Sequence, residues 1–124
     1  MPSPAPADAS QAAEVLTGAV RRTATRLGLQ QKDLAAILGV SAATLSRLGS
    51  GRTIAPDAKE GELALLLIRV YRSLDAMVGG NEQKAHAWFW AHCAPLAGVP
   101  GELVTTVTGL VSVAEYLDAL RGRL

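Results

Sequence analysis

Few residues in this 124-residue chain have the types and spacing to do chemistry. His86, His92 and Cys93 are the nearest thing to a metal set. His86 and His92 are spaced poorly for one helix face, and Cys93 is the single cysteine, so no second thiolate completes a four-ligand zinc site. Gly49-Ser50-Gly51 is followed by no Gly-Lys-Thr or Gly-Lys-Ser. It is read as a helix stop rather than a phosphate cradle. No nucleophile is spaced with a base. The expectation is a non-enzyme, without metal or cofactor, whose chemistry is recognition.

The first recognition segment runs from Leu29 to Gly51 and reads LQQKDLAAILGVSAATLSRLGSG. Two short helices, about Gln31 to Leu38 and Ala42 to Leu48, are joined by Gly39-Val40-Ser41. Glycine leaves the first helix with positive φ, valine fills the angle between the helices, and serine caps the second. This is a helix-turn-helix, whose second helix can lie in a major groove. Gln31 and Ser41 then offer donors to phosphate. Ala42, Ala43, Thr44 and Ser46 face base edges, and Arg47 and Arg52 reach backbone or bases. Alanines touch thymine methyls but make no hydrogen bonds, so modest affinity per monomer and a need for a homodimer are expected. Arg21, Arg22 and Arg26 can add phosphate contacts or form a solvated face.

The elements that must position these groups are helices. Aromatics are only 4% of the chain and hydrophobic residues 49%, so alanine and leucine carry the apolar share. No segment alternates at period two, and the fold is expected to be all-α. Residues 1–9 read as a mobile tail without the pattern of a secretory signal. Residues 10–78 read as a helix-turn-helix domain with a long connecting helix, and residues 79–124 as a second small helical domain. Ser10 is expected to cap the first helix, whose apolar spacing runs through Ala12, Val15, Leu16, Ala19, Val20, Thr23 and Leu27. Pro56 is placed for the first turn of a long helix ending near Met77. Gly79-Gly80 breaks the chain. A further helix carries Trp88-Phe89-Trp90, a short one spans roughly Gly101 to Thr108 with Gly109 as its stop, and Ser112 and Glu115 form a capping box for the last.

Net charge is +1, yet it divides unevenly. Residues 1–52 carry a net +3 and residues 53–124 a net −2. A basic first half joined to a slightly acidic second half implies two surfaces with different partners. The longest aliphatic run, Leu63 to Ile68, is far below the roughly 20 residues that cross a bilayer. One cysteine excludes an intrachain disulfide and fits a reducing compartment, the cytoplasm.

Two family resemblances follow. Gln31, Leu34-Ala35, Leu38-Gly39-Val40-Ser41, Thr44, Leu45-Ser46-Arg47 and Gly51 fall where the Xre/Cro-repressor pattern places them. Gln30 departs from it, since the pattern usually has Ser or Thr as that helix cap. The second half resembles the toxin-binding domain of the Xre/MbcA/ParS antitoxins through Ala85, Trp88, Phe89, Leu96, Gly98, Pro100, Glu102-Leu103-Val104, Thr106, Gly109, Val113, Leu117 and Gly122. Together the resemblances cover about residues 27–124. The loop from Leu96 to Pro100 is shorter than usual, and Ala97 stands where the pattern has glycine.

The resemblance implies an antitoxin. Its partner would be a RES-domain toxin that consumes NAD, blocked at its active site, and the complex would repress its own operon through operator DNA. Trp88, Trp90, Leu96, Gly98, Pro100, Arg121, Gly122, Arg123 and Leu124 are the expected toxin contacts. The charged C-terminus, with Arg121, Arg123 and the carboxylate of Leu124, is the expected blocking element. Trp90→Ala is expected to weaken neutralisation with the fold intact. The rivals are a free-standing dimeric repressor and an inhibitor whose helix-turn-helix is vestigial.

Overall fold

The computed structural model describes residues 6–122. Its helices are α1 (Pro6–Leu27), α2 (Gln31–Leu38), α3 (Ala42–Arg47), α4 (Lys59–Met77), α5 (Glu82–Phe89), α6 (Pro100–Leu103) and α7 (Val107–Arg121), with one 3₁₀ turn at Ala94–Leu96. The fold is all-α, with no strand among the described residues. No helix among them is long and apolar enough to cross a membrane.

α4 is the centre. It buries Leu63, Ala64, Leu67, Ile68, Val70 and Leu74, and α1, α2, α5 and α7 all pack on it. On α1 the buried residues Ala13, Leu16, Val20, Ala24 and Leu27 repeat at helical spacing. On α7 Leu110, Val113, Ala114 and Leu117 do the same. Phe89 closes the core from α5 and is fully buried. Of the α1 residues expected to share a stripe, Ala12 and Val15 face solvent.

Three boundaries differ from expectation, the last two for a local reason. α1 begins at Pro6, and Ser10 lies within it; residues 1–5 lie outside the described part. α4 begins at Lys59, three residues after Pro56. The chain at Ala55 and Pro56 folds over the first turn of α4, where only a glycine fits: a Cβ at Gly61 would meet the Ala55 carbonyl oxygen. The third difference is at the end of the chain. α6 is only four residues long, and α7 begins early because Thr106 caps it. The Thr106 hydroxyl accepts the Gly109 N–H at 3.1 Å. Gly109 is therefore a first-turn residue and not a stop; it lets α7 press on the Leu103 carbonyl. Ser112 and Glu115 are interior to α7.

The loop from α3 to α4 is tied down by a buried threonine. Thr17 Oγ1 donates to the Ala13 carbonyl at 2.7 Å and accepts the buried Ile54 N–H at 2.8 Å. Without that hydroxyl the amide has no partner, at a cost of about 1–3 kcal/mol. Thr17→Val, which keeps the shape, is expected to lower thermal stability by that amount, read as a drop of several degrees in the circular-dichroism melting midpoint. An unchanged midpoint would show that the loop does not depend on Thr17.

Candidate functional site

The helix-turn-helix forms as its residues require. The α2 N-terminus lacks a Ser or Thr cap, but the Gln30 N–H donates to the Asp33 carboxylate at 3.1 Å, half of a capping box. Gly39 ends α2 with φ +68, a left-handed conformation that glycine adopts without strain. Ser41 then caps α3, its hydroxyl accepting the Thr44 N–H at 3.0 Å. Leu34, Ala35, Leu38 and Leu45 bury the inner faces of the pair.

The outer face of α3 gathers the expected readers. Ala42, Ala43, Ser46 and Arg47 are exposed and Thr44 is partly buried. Gln31 is exposed at the first turn of α2. Four expected contact residues are engaged within the protein: the Ser41 hydroxyl donates to Thr44 Oγ1 at 3.0 Å, the Ser46 hydroxyl donates to the Ala43 carbonyl at 2.9 Å, and Arg52 pairs with Glu60 at 3.2 Å. Arg47 forms no ion pair among the described residues.

A family model described as the antitoxin Xre-like helix-turn-helix domain matches residues 6–69. The chain belongs to the Xre-type antitoxins. A second model, described as the antitoxin Xre/MbcA/ParS C-terminal toxin-binding domain, matches residues 73–123 of the antitoxin. A comparison with curated proteins finds no match. The antitoxin thus carries a DNA-binding helix-turn-helix and a toxin-binding domain, which implies a toxin partner and DNA. The two matches meet inside α4, so this helix belongs to both.

The expected toxin contacts separate into groups. Trp88 is partly buried and stacks on Tyr116 of α7, with ring centroids 6.3 Å apart and planes 8° from parallel. Trp90 sits at the junction with the helix-turn-helix. Its indole N–H donates to the Leu27 carbonyl at 2.6 Å, one of the carbonyls that a helix C-terminus leaves without a partner. Trp90 also packs edge-on against Phe89, and its ring covers Gly101, where a Cβ would lie 2.5 Å from it. The expectation that Trp90→Ala spares the fold does not suit this position, because alanine would open the junction. Pro100 is buried at the start of α6, and Leu96 and Gly98 are partly buried. Gly98 is held by two backbone hydrogen bonds to Cys93, at 2.8 and 3.4 Å.

The α7 C-terminus is pinned by a polar cluster that sequence reasoning missed, since its members are far apart in the chain. Arg69 donates to Asp118, and the Ser73 hydroxyl donates to the same carboxylate at 3.0 Å. Arg121 reaches Ser73 at 3.4 Å. The hydrogen bond from Arg69 holds the Asp118 carboxyl below the usual carboxylate range, against its partial desolvation. Arg121 and Gly122 are exposed; Arg123 and Leu124 lie outside the described residues. His86, His92 and Cys93 form no metal set: among the described residues no three His, Cys, Asp or Glu side chains could hold a metal ion.

The departure at Ala97 has a visible consequence. Ala97 has φ +56, and among the described residues it is the one non-glycine in the left-handed region. An L side chain there costs about 1–2 kcal/mol, partly offset by the extra freedom glycine has when unfolded. Ala97→Gly is expected to raise stability by about 0.5–1 kcal/mol, measured by denaturant titration. A lower midpoint would mean that the alanine methyl makes packing contacts worth more than the strain.

Proposed function

We propose that this antitoxin neutralises a RES-domain, NAD-consuming toxin by placing its C-terminal end in the toxin's active site, and that the complex represses its own operon through the helix-turn-helix. The observation that carries this reading is the position of the α7 terminus. It is exposed, basic, and held in one orientation by the Asp118, Arg69 and Ser73 cluster at the end of the toxin-binding domain. An anchored cationic tail suits a pocket built for an anionic dinucleotide. Arg121 and Gly122, with Arg123 and Leu124 beyond them, are its proposed blocking residues. Trp88, Leu96 and Gly98 are the proposed flanking contacts, with Trp90 and Pro100 supporting them from within.

On the DNA side, Gln31 and Ser41 are assigned to phosphate, Ala42, Ala43, Thr44 and Ser46 to base edges, and Arg47 and Arg52 to backbone or bases. Arg52 must leave Glu60 to do so. A face this poor in donors works as a pair, so the antitoxin is proposed to act as a homodimer within the toxin complex, in the cytoplasm. Val15, Leu65 and Val107 are large apolar side chains left exposed, available for such contacts.

The test co-expresses the toxin with full-length antitoxin or with a chain lacking residues 121–124. The truncated chain is expected to co-purify with the toxin and fail to restore growth. Full protection by the truncated chain would reject the blocking role. Arg47→Ala is expected to weaken operator binding by about 1–3 kcal/mol in an anisotropy titration, with neutralisation unaffected.

A further inference from the structure

A groove of about 500 Å³ runs between α1 and the α2–α3 pair. Its α1 wall carries Arg21, Arg22 and Arg26. Its opposite wall presents Gln30 and Gln31 from the start of α2 and Ser46 from α3, and no acidic side chain lines it. The three arginines differ in how they are engaged. Arg26 is committed within the protein, paired with Glu82 at 3.8 Å and lying over the Tyr71 ring. The Arg21 guanidinium rests against Gly49, just beyond α3, where a Cβ would collide with it. Arg22 lies back over Gly18. Among the described residues neither Arg21 nor Arg22 forms an ion pair. Two uncompensated guanidinium groups thus share a groove with the side-chain amides of Gln30 and Gln31, the Ser46 hydroxyl being already donated to Ala43. That is the donor set for an anion rich in oxygen.

Two of these wall residues belong to two surfaces at once. Gln31 and Ser46 line the groove and also stand on the exposed face of the helix-turn-helix. A strand whose bases face α3 therefore continues past them toward α1. We propose that the groove seats the phosphodiester backbone of duplex DNA beside the bases that α3 meets, with Arg21 and Arg22 as its phosphate ligands. Such contacts carry no sequence information but set register and supply affinity. They compensate a recognition face that opens with two alanines. The proposal rests on DNA binding by the helix-turn-helix and extends the footprint onto α1.

The experiment titrates a labelled mixed-sequence duplex with the full chain between about 50 and 200 mM salt. It compares wild type with Arg21→Gln, Arg22→Gln, the double variant, and Arg72→Gln as an exposed arginine outside the groove. Each groove variant is expected to flatten the slope of log K against log salt by about 0.9, the double variant by about twice that, and Arg72→Gln not at all. Melting curves confirm that each variant is folded. Should Arg21→Gln loosen the turn at Gly49, Arg22→Gln alone decides. A double variant with the wild-type slope overturns the proposal while leaving DNA binding by α3 intact. A wild-type chain that binds no duplex removes the DNA reading and this proposal with it. Displacement of the duplex by inorganic phosphate at constant ionic strength, lost in Arg22→Gln, would assign the groove to a free phosphate-bearing ligand and also overturn it.

Discussion

α4 has to be covered from more than one side, and the rest of the molecule is arranged to do it. Leu63, Ala64, Leu67, Val70 and Leu74 leave little of its circumference for water. α1 and α2 cover part, and α7 covers another part. Neither the helix-turn-helix nor the toxin-binding domain has a complete core without this helix. The two matched families divide the chain within α4, but the apolar cluster does not divide there: residues from Leu16 to Leu117 belong to one contiguous core. Burial of apolar area therefore couples the DNA-facing and toxin-facing surfaces as parts of one cooperative unit.

Polar groups complete what burial begins, and each serves a backbone atom that would otherwise be orphaned. The Thr17 hydroxyl takes the Ile54 amide, and the Trp90 indole serves the open carbonyl of Leu27. Thr106 caps α7, and Ser41 caps α3. No buried side-chain nitrogen or oxygen among the described residues lacks a partner. In a domain with few aromatics, these directed bonds set angles that leucine and alanine packing would leave loose.

Much of this was legible in the sequence. The two short helices around Gly39-Val40-Ser41 were legible because cap, turn and apolar spacing all act within a few residues. So was the exposed face of α3. The end of the chain was not. Ser112 and Glu115 satisfy a capping pattern, yet Thr106 starts the helix, because Gly109 permits a close contact with the Leu103 carbonyl that no local pattern records. Pro56 has helix-start chemistry, yet the loop it belongs to is drawn over Gly61. The Arg69, Ser73, Asp118 and Arg121 cluster and the role of Thr17 were equally hidden, because they join residues on different helices. Trp90 reads in the sequence as a toxin contact that the fold does not need. That its cover is the end of α1 follows only from tertiary packing.

Trp90 also links positions that nothing in the linear order connects. Its indole nitrogen lies in ordinary contact, 3.4 Å from where a side chain at Gly28 would begin, and its six-membered ring lies 2.5 Å from the same point at Gly101. A larger residue at Gly101 demands a smaller one at Trp90, and that removes the bond to Leu27; at Gly28 it is His86 that stands in the way, 2.6 Å from where a side chain would begin. Gly101 and Trp90 should therefore vary together across relatives or not vary at all, and Gly28 should vary only with His86. Exchanging C-terminal halves between two such proteins would succeed only where the recipient already carries glycine at the end of its first helix. What looks in the sequence like two interchangeable cassettes is, where His86 and Trp90 meet the end of α1, a matched pair.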